Sequence, residues 1–118
     1  MEVTGRRSGR RIALPLVIAD FEGERYLVAM LGERASWVAN VRAAGGRAVL
    51  RHGRREEIRL EEVAPADRAR ILKRYLQVAP GARAHFPVDQ RAPLTSFEAV
   101  APQHPVFRIA TETGERVE

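Results

Sequence analysis

The sequence predicts an α+β fold, a small barrel of four or five mostly antiparallel strands with two or three helices packed outside it. Three observations carry this: short apolar runs are joined by tight glycine-containing turns, helical patterns are inserted between them, and the regular strand–helix alternation of a doubly wound parallel sheet is missing. A chain of 118 residues buries roughly two thirds of its unfolded surface, enough for one core and not for two. Residues 1–118 are therefore expected to form a single domain.

Ile12–Ala19 (IALPLVIA) is almost wholly apolar and reads as a strand covered on both faces. Pro15 cannot donate to a ladder, so an edge or a bulge is expected there. Asp20–Glu24 reads as a hairpin turn, after which Tyr26–Leu31 returns as a second apolar strand ending at Gly32. Ser36 stands where an N-cap would open a short helix over 37–44, with Gly45-Gly46 as its left-handed stop. Arg47–Arg51 and Arg54–Val63 flank His52-Gly53 as a hairpin, with Ile58 and Leu60 inward and Arg55, Glu57, Arg59 and Glu61 outward.

From Pro65 to Val78 the period becomes helical, and Ala69, Leu72, Tyr75, Leu76 and Ala79 form one apolar stripe. Pro65 and Asp67 suit its first turn. Pro80–Pro93 holds too many breakers for regular structure and reads as a long loop. A third helix around Thr95–Ala101, a last strand Val106–Ala110 and a polar tail Thr111–Glu118 complete the chain.

Composition excludes several classes of chemistry. Without cysteine there is no disulfide framework, thiolate metal site or cysteine nucleophile. No apolar run approaches the roughly 20 residues of a membrane span, and a cytoplasmic location is expected. His52, His85 and His104 lack ligand spacing, so no metal is expected. Phosphate-loop, GxGxxG and GxSxG signatures are also missing.

The net charge is +5, and nineteen of the twenty basic residues are arginine. Residues 1–55 hold eleven arginines and five acids, while residues 56–118 hold nine basic and ten acidic residues. An anionic partner therefore belongs to the first half. Two constellations there are candidates for a site. Gly5-Arg6-Arg7-Ser8-Gly9-Arg10-Arg11 can wrap an anion with backbone N–H groups, a hydroxyl and forked guanidinium groups, or can be a solvated basic turn. Trp37 and Asn40 share a helix face with Val41 and Ala44, and an amide on an apolar stripe needs a partner, either a ligand or a neighbouring backbone group. Glu56, Glu57, Glu61 and Glu62 lie among Arg54, Arg55 and Arg59 and read as cross-strand surface pairs.

Thr4-Gly5-Arg6-Arg7-Ser8-Gly9, then Leu14-Pro15-Leu16, then Gly23 with Arg25–Ala29, then Trp37–Ala43, resemble in their order and spacing the deazaflavin (F-420)-dependent nitroreductase family. Pro80-Gly81, the 93–101 segment and Pro105–Arg108 extend the likeness toward the C-terminus. Met30-Leu31 and Ala35-Ser36 depart from it, standing where the family commonly has a polar or basic pair and a His-Pro.

The resemblance implies a split β-barrel, usually a homodimer, that binds coenzyme F-420 and passes hydride to a quinone, a nitroaromatic or an activated alkene. It implies that Arg6, Arg7, Ser8, Gly9 and Arg11 hold the cofactor's anionic tail and that Pro15, Leu16, Ala29, Trp37 and Asn40 shape the ring pocket. His85 and Phe86 are the nearest side chains for the substrate side. Such chemistry needs no protein nucleophile, because the cofactor supplies the hydride. Two alternatives remain open at this level: a split barrel holding flavin mononucleotide, and a non-enzymatic module for an anionic ligand or nucleic acid. The latter is disfavoured because residues 1–20 carry no aromatic side chain to stack on a base.

Overall fold

A computed structural model describes residues 1–111; the remainder of the predicted tail, 112–118, lies outside the described residues. Seven strands form one antiparallel sheet: β1 (Glu2–Thr4), β2 (Arg11–Ala13), β3 (Ala19–Phe21), β4 (Glu24–Val28), β5 (Arg47–Arg51), β6 (Arg55–Glu62) and β7 (Val106–Thr111). Three α-helices accompany it: α1 (Ser36–Ala43), α2 (Ala69–Val78) and α3 (Leu94–Val100).

The strand order is β2-β1-β5-β6-β7-β4-β3, so β2 and β3 lie at opposite edges although they are consecutive in the chain. Laid flat, six interstrand spacings would part those edges by about 29 Å. The segment from Ala13 to Ala19 reaches only about 20 Å when fully extended. The sheet must therefore curl until its edges approach, which is consistent with a split barrel. Residues 14–18 strap the gap.

This strap corrects the expectation of one strand over Ile12–Ala19. Pro15 divides that run into two short strands on different edges, a larger effect than the expected bulge. Glu2–Thr4, a further strand, has only Val3 to mark it as apolar and so carries no readable alternation.

Two apolar clusters fill the molecule. One lies inside the curl, where Val3, Leu27, Ala29, Ala48, Leu50, Ile58, Leu60, Phe107 and Ile109 meet Trp37, Val38 and Val41 of α1. The other packs α2, Phe86 and Phe97 against Ala19, Val28 and Val106. Alternation along β4 divides Leu27 from Val28 between the two, so this strand is covered on both faces. The α2 stripe is the expected one, with Ala69, Leu72, Tyr75 and Leu76 all buried.

Three further expectations are revised. Ser36 is not the N-cap: Ala35 occupies that position, with no side-chain cap, because the chain enters α1 directly from a 3₁₀ turn over Gly32–Arg34. Pro65 and Asp67 form a separate 3₁₀ turn, and α2 begins only at Ala69. Pro80–His85 winds into a 3₁₀ segment, so the loop proper is the 86–93 stretch. The glycine stop of α1 holds, and Gly46 is sterically required there. Its φ is +87°, and a Cβ would sit 2.4 Å from the Leu60 carbonyl oxygen. The Leu60 amide in turn donates to the Gly46 carbonyl at 2.7 Å, which fastens the end of α1 to β6.

The hairpin acids divide. Glu57 pairs with Arg55 and Glu61 with Arg108 on the outer face. Glu56 departs from the expected surface pattern because it shares the inward parity of Ile58 and Leu60. Its carboxylate accepts from Arg25 at 2.8 Å and Thr111 at 3.0 Å and bonds His52 at 3.0 Å. Arg25 foremost holds the Glu56 carboxyl down to about 2, against the opposing effect of burial.

Candidate functional site

The strap that crosses the barrel gap forms one side of a cleft of about 580 Å³. Leu14, Pro15, Leu16 and Val17 come from the strap, Val28 and Met30 from β4 and its continuation, Ser36, Trp37 and Asn40 from α1, and Tyr75, Ala79, Gly81 and Ala82 from α2 and the 3₁₀ segment after it. The lining is mostly apolar, and three of the large exposed apolar side chains of the molecule, Ile12 (41%), Val17 (44%) and Leu31 (63%), stand around it. A solvent-facing apolar rim around a concave site marks a place for a flat, largely apolar ligand. A second depression, of about 510 Å³, is lined by Glu24, Arg25, Glu61 and Arg108, where Arg108 pairs with both Glu24 and Glu61 and Arg25 pairs with Glu56.

The polar end of the cleft is built by one contact across 34 residues of sequence. The Arg6 backbone N–H donates to Asn40 Oδ1 at 3.0 Å and the Arg6 guanidinium donates to the same atom at 2.8 Å. The guanidinium also donates to the Ser36 carbonyl at 3.4 Å. Two donors converging on Oδ1 decide which way the amide faces, since reversing it would set N–H against N–H. Asn40 is only 4% exposed, yet its Nδ2 has no acceptor among the described residues. No fully buried side-chain polar atom among the described residues lacks a partner, so this amide nitrogen keeps accessible surface on a residue that lines the cleft. A group fixed in this way donates a hydrogen bond to a ligand acceptor with little reorganisation.

Trp37 lies beside it, 9% exposed, its ring 5.6 Å from that of Phe107 and tilted by 55°. The helix that carries both residues starts without a side-chain cap, leaving first-turn N–H groups near the same end of the cleft.

The arginine loop does not act as one cradle. Gly5 and Arg10 close a tight turn, the Gly5 amide donating to the Arg10 carbonyl at 2.7 Å. Gly9 takes φ +73°, and Ser8 Oγ accepts the Arg10 amide at 3.1 Å. Arg6 is exposed like Arg7, Ser8, Gly9 and Arg10, but its guanidinium reaches back to Asn40. Arg11 goes to the outer face of the sheet. Its side chain pairs with Glu2, as does that of Arg51, and the two hold the Glu2 carboxyl below its usual range, Arg51 more strongly. Strand parity is the reason: Ile12 points into the cleft, so Arg11 points away.

Of the other anticipated residues, Pro15, Leu16, Trp37 and Asn40 line the cleft together. Ala29 does not reach it; wholly buried, it belongs to the inner cluster, and its neighbours Val28 and Met30 line the cavity instead. His85 is exposed and Phe86 buried, and neither lines the cleft. Phe86 turns into the core, stacked on His104 at 4.2 Å and 17°. Ala79, Gly81 and Ala82 take up the position expected of that segment. Tyr75 was legible only as a core position. It is 4% exposed, and burial pushes its phenol above the ordinary range.

Among the described residues no group of three or more His, Asp or Glu side chains could hold a metal ion, and no helix is long and apolar enough to cross a membrane. The arrangement offers no nucleophile paired with a base. It offers a mostly apolar cleft lined by the anchored Asn40 amide, which suits chemistry supplied by a bound organic cofactor.

No curated protein matches the chain. A family model does: residues 1–95 match that of the F420H(2)-dependent quinone reductase family, a stretch that contains every residue lining the cleft. The chain belongs to this family, and so to the oxidoreductases that depend on coenzyme F-420.

Proposed function

We propose that the cleft holds coenzyme F-420 against α1 and passes a hydride from its reduced form to a quinone, with nitroaromatics or activated alkenes as further acceptors. The observation that carries this reading is the Asn40 amide: its Oδ1 is held by Arg6, its Nδ2 has no partner among the described residues, the residue lines the cleft, and a flat ring bearing carbonyl oxygens supplies an acceptor. The cofactor, when bound, supplies the two-electron chemistry. The protein binds, orients and dries the site.

Trp37 supports one edge of the ring, and Pro15 and Leu16 of the strap support another. The exposed Arg7 and Arg10 side chains make no ion pair among the described residues and attract the anionic tail, with Ser8 and the Gly9 backbone beside them. Arg6 is assigned a positioning role through Asn40, and Arg11 no direct one. The apolar rim of Ile12, Val17 and Leu31 supports pairing of two copies as a homodimer.

Trp37 is the single tryptophan, so its fluorescence reports directly on the cleft. Titration with oxidised F-420 is expected to quench it saturably and to raise Tm by ligand linkage. Turnover of reduced F-420 with a panel of quinones and nitro compounds then ranks the acceptors. A flat fluorescence titration together with an unmoved Tm at high cofactor concentration would refute the reading.

A further inference from the structure

We propose that the Tyr75 hydroxyl, on the α2 wall of the cleft, is the proton donor to the acceptor's carbonyl oxygen. This rests on the reading above for the supply of hydride, but its geometry is independent of it. Tyr75 is 4% exposed on α2, its ring 6.1 Å from that of Phe86 inside the outer cluster, and it lines the cleft. The hydroxyl has no hydrogen-bond partner among the described residues, and no fully buried side-chain polar atom among them is unpartnered, so the O–H keeps accessible surface on a residue that lines the cleft.

A buried tyrosine ordinarily finds a partner for its O–H, and one left facing a cavity is a vacancy for a ligand acceptor. On this wall the surrounding lining, Val28, Met30, Ala79, Gly81 and Ala82, is apolar, which leaves Tyr75 as its one polar side chain. Burial keeps the phenol protonated well past neutral pH, so it enters the reaction as a donor.

The step balances simply. The deazaflavin, when bound, would supply the quinone with a hydride, two electrons and one hydrogen, which leaves negative charge on a carbonyl oxygen. The Tyr75 O–H bond breaks as an O–H bond forms on that oxygen, giving the quinol. The phenolate left on Tyr75 is reprotonated from water at the cleft mouth. A positioned donor of this kind contributes typically 10²- to 10⁴-fold.

The test has two arms that use the full chain. In the first, duroquinone without cofactor is titrated against Trp37 fluorescence. Tyr75→Phe is expected to weaken its binding about five- to tenfold, the scale of one lost hydrogen bond. Equal affinities overturn the proposal.

In the second arm, turnover of reduced F-420 with duroquinone is followed against pH. Tyr75→Phe should lower kcat by about 100-fold or more and abolish the alkaline limb of the profile, while the Kd of oxidised F-420 stays within about twofold. An unchanged kcat or an unchanged limb overturns it. If wild type binds duroquinone with the first-arm difference and yet neither binds F-420 nor turns over, the cofactor reading fails and the Tyr75 hydrogen bond stands. Should Tyr75→Phe not fold, difluorotyrosine introduced on a Tyr26→Phe background leaves Tyr75 as the single phenol. The alkaline limb must then move to lower pH, and a stationary limb overturns the proposal.

Discussion

The two walls of the cleft are held by different means. The α1 wall is tied to the N-terminal loop through Arg6 and Asn40, and to the sheet where Gly46 meets Leu60. The α2 wall rests on apolar packing and on one buried cation, Arg68, 3% exposed, which donates to the Val63 carbonyl at 2.8 Å, the Ala101 carbonyl at 3.0 Å and Glu62 at 3.2 Å. Desolvation lowers the pKa of Arg68, with Glu62 the leading opposing influence. Glu62 also pairs with Arg42 of α1, so a charged bridge joins the two walls away from the ligand. One wall presents an oriented amide and the other a greasy surface with a hydroxyl, so each can fail separately.

The largest expected effect comes from cutting each wall loose. Arg68→Ala removes the buried donor shared by the Val63 and Ala101 carbonyls and Glu62 and should cost about 3–5 kcal/mol, enough to unfold a domain of ordinary stability. Gly46→Ala combines a left-handed backbone with a 2.4 Å clash and should cost at least about 2 kcal/mol. Chemical denaturation measures both. A neutral Gly46→Ala would show that α1 can shift along β6 and that its wall is not fixed.

Next in size is Asn40→Asp. The carboxylate still accepts from Arg6, so the fold should survive, but the cleft loses its amide donor and gains an acceptor. Binding of oxidised F-420, read by Trp37 quenching, should weaken by about 10- to 100-fold, from the lost bond and the repulsion between acceptors. Arg6→Ala should weaken it less, because the backbone N–H of residue 6 still holds Oδ1. The reverse order would mean that Arg6 contacts the ligand itself.

The smallest effect lies outside both walls. Glu56, with its carboxyl held down to about 2, contributes stability that is complete above the unfolded-state value of 4.5 and is lost as pH falls toward 2. Discounted for solvent screening at the half-exposed Arg25, this amounts to about 1–2 kcal/mol. Glu56→Gln should therefore lower Tm at pH 7 and flatten the acid limb of the stability curve between pH 4.5 and 2, with no change in ligand affinity. A change in affinity would mean that the β5–β6 hairpin communicates with the cleft.

What could be read from the sequence follows the range of the interactions. The α2 stripe, the inward Ile58 and Leu60, and the glycine stop of α1 are local patterns, and the structure keeps all three. Trp37 and Asn40 on one helix face are also local, and the cleft opens there. The fate of Arg11 depended on which parity Ile12 would take, which β1 decides from outside that segment. Phe86 left the expected pocket for a stack with His104, eighteen positions away, that no periodicity announces. Tyr75 was disguised by belonging to a correct core stripe, since a stripe says which face is covered and not which atom at its edge stays uncovered.

The strap over residues 14–18 closes the seam of the barrel and lines the cavity with the same atoms. Its contour length sets an upper limit on how far the two sheet edges can part. A guest too thick for the slot would have to straighten seven strands in order to enter, so discrimination by thickness becomes a bending stiffness spread over the whole sheet. Inserting residues into the strap should then broaden the range of acceptors without altering a single contacting side chain.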